Sequence, residues 1–190
     1  MGLLDKAVVY LSGAMEFVAD HGVEWRRKFI RLIRESGLDI DPIDPTDKPG
    51  PDDMRIGENQ DYQIKLQKAG KFEELKKYVR KYRHYDLRFV DISDFLVALI
   101  DPRVPQWGTS NEIYVAEEQH KPTFLICEGG LHNLPRWLFD VVELNHVFEN
   151  VEGVVEQLVM LDNGELELDE GWILVRKYIE DSRSHRINTS

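Results

Sequence analysis

Short β-prone runs alternate with segments of helical periodicity along almost the whole chain, and that alternation predicts a three-layer α/β fold. Phe95–Ile100 and Pro122–Cys127 are nearly unbroken apolar runs, as strands buried on both faces of a parallel sheet must be. The segments between strands carry one apolar stripe each, so helices are expected on both faces of the sheet.

Taken in order, Ala7–Ser12 reads as the first strand, ended by Gly13. Residues 22–36 place Val23, Trp25, Phe29, Ile30, Leu32 and Ile33 on one stripe, a helix that Gly37 stops. Leu38–Ile40 is a brief second strand closed by Asp41-Pro42. Residues 42–60 carry Pro42, Pro45, Pro49 and Pro51 and read as a loop, long enough in a compact domain to be functional or mobile. Residues 61–83 form a charged helix with a partial stripe at Leu66, Phe72, Leu75, Tyr78, Val79 and Tyr82, and Gly70 is a candidate interruption. A short helix or turn near 86–92 leads to the strand Phe95–Ile100, a helix at 109–119, a strand at 122–127 and the pair Gly129-Gly130. A helix at 133–144, a strand at Asn145–Phe148 and a helix at 151–161 follow, while Leu166–Tyr178 fits either class. The expectation is one domain, residues 1–190, built on a flavodoxin-like parallel sheet of five strands with a loop-and-helix insertion at about 43–83.

With 190 residues, 42% of them hydrophobic and 10% aromatic, the chain can bury a substantial core and does not have a disordered composition. Its 24 basic and 35 acidic side chains leave a net charge of −11. Coating a nucleic-acid polymer would need a basic stripe instead, so no such partner is expected. A small phosphorylated ligand needs only a few local donors and stays possible. The single cysteine, Cys127, has no intrachain partner and fits a reducing compartment, as an inert core residue or a reactive thiol. No apolar run approaches the ~20 residues that cross a bilayer, and Lys6 stands where a Met1-Gly2 myristoylation signal needs Ser or Thr. A cytoplasmic protein with no membrane partner is therefore expected. His21, His84, His120, His132, His146 and His185 show no metal spacing, and neither an ATP-type Gly-rich loop nor zinc-deaminase motifs occur, so no metal or other cofactor is expected.

Three segments should converge at the C-terminal edge of the sheet, where open α/β sheets bind ligands. The first is Tyr10-Leu11-Ser12-Gly13-Ala14-Met15. Gly13 lets the backbone approach a ligand and leaves amides for an anion or hydroxyl, although an ordinary strand-to-helix turn uses glycine as well. The second, His84–Asp94, holds Asp86, which lies clear of the strand and can reach a pocket, with Asp91 open to solvation and Asp94 to flanking the strand. The third is Gly108-Thr109-Ser110-Asn111-Glu112, which follows the central strand and Asp101-Pro102. Glu112 is expected on the first turn of the next helix, whose N-terminus would lower its pKa and favour the carboxylate. Such a carboxylate can attack a sugar carbon or can simply complement the helix dipole. Residues 61–83 add Lys65, Lys68, Lys71, Lys76, Lys77, Arg80, Lys81 and Arg83, a patch that reads as a solvated face, a phosphate-steering surface, a lid or an oligomer contact.

In order and spacing, these segments resemble the nucleoside 2-deoxyribosyltransferase superfamily, including its nucleotide N-glycosidase branch. The residues that carry the resemblance are Tyr10-Leu-Ser-Gly13-Ala-Met15, Trp25, Gly37 and Asp41-Pro42, then Asp94 through Asp101, Gly108-Thr109-x-x-Glu112 through Ala116, and Lys121-Pro122. It spans 7–127 without the insertion. The resemblance implies Glu112 as the nucleophile at the anomeric carbon, Asp86 as the acid that helps protonate the departing base, and Tyr10 as the residue orienting the nucleophile. Candidate substrate-binding residues are Ser12, Gly13, Ala14, Met15, Asp94, Asp101, Gln106, Gly108, Thr109 and Asn145. Family members often place an Asp for sugar hydroxyls where this chain has Gln106, which hydrogen-bonds without charge, and Asp101 is a candidate to compensate. Asn145 corresponds loosely to a family residue that reaches a neighbour's site, and the resemblance implies a homo-oligomer. The implied activity is cleavage or transfer at the N-glycosidic bond of a small nucleoside or nucleotide, with a nucleobase leaving or accepting. Two alternatives stand beside it: a nucleoside 5′-monophosphate N-glycosidase that uses water, and a catalytically silent nucleotide-binding module.

Overall fold

The apolar runs become the sheet. In a computed structural model, which describes residues 2–47, 56–173 and 175 (with side chains from residue 60 onward in the second stretch), strands β1 (Val8–Gly13), β2 (Asp41–Ile43), β3 (Phe95–Ile100), β4 (Thr123–Cys127) and β5 (Val147–Phe148) pair in parallel. Their order, β2-β1-β3-β4-β5, is the flavodoxin-like one. Strand alternation sends Val9, Leu11, Phe95, Val97, Phe124 and Ile126 to one face. That face is covered by α1 (Val23–Glu35) and α5 (Val151–Asp162). Tyr10, Leu96, Ala98, Leu125 and Cys127 point the other way, against α3 (Phe72–Ile92) and α4 (Trp107–Glu118). The helix α2 (Ile56–Lys68) packs on α3, the two joined through Gly70 at φ +69°.

Several elements depart from the sequence-based expectation. Leu38 and Ile40 are buried, but as core contacts ahead of the second strand; pairing begins at Asp41 and includes Pro42. An edge strand tolerates a proline because its missing N–H costs no ladder bond there. The chain from His84 to Ile92 is no separate short element but the last turns of α3, since Val79, Tyr82, Asp86 and Val90 keep one stripe turned inward. α2 starts by Ile56, inside the expected loop, whose residues 48–55 lie outside the described ones. No α-helix forms at 133–144: Pro135 forces extended backbone before it, and only short 3-10 turns at Arg136–Asp140 and Leu144–His146 follow.

The ambiguous C-terminal stretch docks on the α1/α5 face without joining the sheet. Trp172 is 1% exposed, its ring 5.1 Å from Phe95 and 6.2 Å from Phe124. Residues 174 and 176–178 of that stretch lie outside the described ones. Trp172→Ala should therefore destabilise the fold by about 3–5 kcal/mol, the range for emptying a buried aromatic site. Denaturant unfolding measures this, and a loss under 1 kcal/mol would show that the segment does not contribute to the core.

Candidate active site

At the C-terminal edge the chain leaves β1 toward α1 on one face and β3 toward α4 on the other. That divergence opens a crevice between the two strands, the place where such sheets bind ligands. A cavity of about 470 Å³ lies there, within the range of small-molecule sites. Its floor and walls come from the Gly13–Glu16 loop, the start of α4, the middle of α3 and, from α2, Gln60 and Gln63.

Glu112 reaches the cavity and is only 8% exposed. The hydroxyl of Tyr10 donates to its Oε1 at 3.0 Å, and the Ser12 hydroxyl donates to Oε2. Tyr10 and Ser12 share a face of β1 because they are two residues apart, so one strand supplies both donors. α4 begins at Trp107, which places Glu112 in its second turn, not its first. The expected lowering of its pKa is overturned as well. Burial pushes the carboxyl up to about 7, reinforced by the charge of Asp86 and opposed by Ser12, Tyr10 and Arg26. The Tyr10 phenol is held well above its ordinary range, first by burial and then by the Glu112 charge, so it stays a neutral donor.

Asp86 is 6% exposed and lines the cavity from α3; it sits within a long helix, not in a separate short helix or turn. Gly13, Ala14 and Met15 line the opposite side, and Gly108 and Thr109 the third. A Cβ on Gly13 would stand 3.1 Å from the Trp25 ring, a crowding that accounts for the glycine by packing rather than by ligand approach. Gln106 borders the cavity, yet both ends of its amide are occupied: Nε2 donates to Leu99 O at 2.9 Å and Oε1 accepts from Asp101 N at 3.0 Å. It fastens the β3–α4 loop. Asp101 does not line the cavity, and its carboxylate pairs with Arg103 at 2.8 Å.

The remaining candidates lie at the other edge of the sheet. Asp94 precedes β3, and its carboxylate accepts from Val8 N at 2.7 Å, tying the starts of β1 and β3 together. Asn145 precedes β5 and is exposed. Cys127 is buried in the α3/α4 face, and burial raises its thiol pKa. Among the described residues no group of His, Cys, Asp and Glu is arranged to hold a metal ion, and no helix is long and apolar enough to cross a membrane.

Three participants escape a motif-based reading. Gln60 donates to Met15 O at 3.0 Å and Gln63 accepts from Tyr82 at 3.1 Å, which brings the α2–α3 hairpin into the cavity wall; no local pattern foretells where an insertion folds back. Arg26 is fully buried behind β1. A signal for it did exist, since Arg26 stands three and seven residues before Phe29 and Ile33, on the stripe α1 turns inward.

No family model matches the chain, and no curated protein is similar to it. Among solved structures, a conserved protein from Enterococcus faecalis V583 is similar at 17% identity and a TM-score of 0.42 over 85% of this chain and 99% of that one. A likeness that distant carries no argument about function.

The raised Glu112 pKa ties the site to stability. Because the folded value of about 7 lies above the ordinary 4.5, the folded chain holds the proton more tightly than the unfolded one. The favourable contribution is complete below pH 4.5 and is lost as pH rises through 7. Glu112→Gln keeps an acceptor for Tyr10 and removes the titration. Its stability relative to wild type should rise by about 3 kcal/mol between the acid and alkaline ends of that window. Denaturant titrations across pH read this difference, and a constant offset would contradict the buried carboxylate.

Proposed function

We propose that the protein cleaves or transfers at the N-glycosidic bond of a nucleoside or nucleotide, with Glu112 as a covalent nucleophile. The observation that supports this most is the Glu112 carboxylate itself, steered by two hydroxyl donors from one strand into a cavity that another carboxyl group, Asp86, also reaches. Neither Tyr10 nor Ser12 has a reason to be buried against Glu112 in a purely structural helix–strand contact, where apolar side chains would pack at lower cost.

The chemistry follows from that arrangement. A Glu112 oxygen attacks the anomeric carbon as the carbon–nitrogen bond breaks, and the bonding pair leaves with the base. Asp86, when protonated, supplies a proton or hydrogen bond to that base and becomes the carboxylate. The ester between Glu112 and the sugar is then opened by a second base, which gives transfer, or by water, which gives hydrolysis; either nucleophile returns a proton to Asp86. Positive charge develops at the sugar in both half-reactions, and a carboxylate placed without a water shell stabilises it strongly. Such a site calls for no metal or organic cofactor. The partners are a small nucleoside or nucleotide and a free base, with a second copy of the chain completing the assembly.

Incubation with deoxynucleosides or nucleoside monophosphates, with and without a free base, followed by chromatography, tests the reading. Exchanged nucleoside marks a transferase and free sugar or sugar phosphate a hydrolase; binding without product would leave only a silent module. Glu112→Ala should lose turnover by at least about 10³-fold with the fold retained, and wild-type turnover in it would refute the nucleophile. In the wild type, the acid limb of kcat/KM should climb with pH through about 7 as Glu112 ionises. A flat acid limb would assign the nucleophile elsewhere. Asp86→Asn should slow most the substrates whose base is a poor leaving group, read as the slope of log kcat/KM against base pKa.

A further inference from the structure

Arg26 is the largest buried charge that the proposed chemistry leaves without a role. It is 0% exposed, and its guanidinium donates to three backbone carbonyls: Leu11 O at 3.0 Å, Gly13 O at 3.0 Å and Gly22 O at 2.7 Å. Pairing of β1 with β2 stops at Tyr10, whereas pairing with β3 runs on to Gly13. The carbonyls of Leu11 and Gly13 therefore face the side that β2 no longer covers, and Arg26 takes them in place of a strand. Ser12 lies between those two carbonyls and sends its hydroxyl through to Glu112 on the other face. Gly22, at φ +72°, is fitted to the same grip: a Cβ there would stand 2.4 Å from both Ala14 O and Arg26 Nη1.

We infer that Arg26 is a positioning residue, which fixes the Ser12 donor against Glu112 by clamping the backbone on either side of it. The catalytic sense of this inference rests on Glu112 being the nucleophile; the structural sense does not. The groups facing Glu112 are Tyr10 and Ser12 from β1, Asp86 from α3 and Arg26 from α1. Those facing Arg26 are Asp44, 3.7 Å away and 11% exposed in its side chain, together with Asp20, Tyr10 and Glu112; the Trp25 ring lies 4.7 Å from the guanidinium. Asp44 is thus the counter-charge of the clamp, while the three carbonyl bonds fix its position.

Arg26→Lys keeps a cation but not the fork, so kcat should fall about tenfold or more with KM little changed. Ser12→Ala removes the donor that the clamp positions. Both variants should move the Glu112 midpoint to higher pH, because the Ser12 hydroxyl bonds the carboxylate, and the double variant should move it no further than Ser12→Ala alone. The midpoint is read without substrate, by carbon-13 NMR of Glu112 carboxyl groups in the full chain, and again as the acid limb of kcat/KM. Additive shifts in the double variant overturn the inference, and Gly22→Ala, which crowds the guanidinium, replaces Arg26→Lys in the same cycle if that variant fails to fold. Coupled shifts in a protein lacking glycosidic activity would uphold the clamp and refute the proposed function.

Discussion

Taking a carboxylate out of water is costly, and the arrangement of this molecule around Glu112 is a response to that cost. The carboxyl is buried where β1 and β3 part company, and burial alone drives its pKa toward neutrality. Two hydroxyl donors from β1 work in the opposite direction, as does the guanidinium behind the strand. Neither influence wins outright, and the result is a group poised between its two charge states. Above its pKa the buried carboxylate carries a cost that a neutral glutamine, still an acceptor for the hydroxyls, would not.

That tension explains features that would otherwise look unrelated. β1 must run past the end of β2 to bring Ser12 under Glu112, and this leaves its carbonyls uncovered. A buried arginine is a fitting solution because its planar fork bonds several carbonyls at once. Arg26 in turn needs Gly22 for room and Asp44 for charge, which ties the turn after β2 to the site. The loop after β3 is held by another internal device, the Gln106 amide. The walls nearest Glu112 are therefore fixed by backbone-directed side chains.

The sheet was legible in the sequence because apolar runs and interrupting glycines obey short-range rules. Phe95–Ile100 and Thr123–Cys127 fall within a residue of where the pattern put them. Elements set by tertiary context were not. Asp41-Pro42 looked like a strand end and is the strand, since only position at the sheet edge makes the proline harmless. Residues 86–92 read as a separate short helix or turn, and are the end of a long helix because Asp86 is turned toward the cavity with Tyr82 and Val90 on the packed stripe. For the site, two short patterns, Tyr10–Met15 and Gly108–Glu112, sufficed to bring Tyr10, Ser12 and Glu112 together. The charge state of Glu112 was read backwards, because a helix-dipole argument works on the first turn and in solvent, and Glu112 is in the second turn and buried.

Gln106 shows what a neutral amide does at the rim of such a cavity. An aspartate there would add a third carboxylate to Glu112 and Asp86, raising the cost of ionising either of them. The glutamine instead bonds Leu99 O and Asp101 N with the two ends of one neutral amide, which an aspartate cannot do because it has no donor. Loop rigidity is thus obtained from a residue that presents no charge to the cavity. The α2–α3 hairpin borders the same cavity with Gln60, Gln63 and Arg83, each already bonded within the chain. The cavity wall is thus shared between the insertion and the helix α4 that carries Glu112.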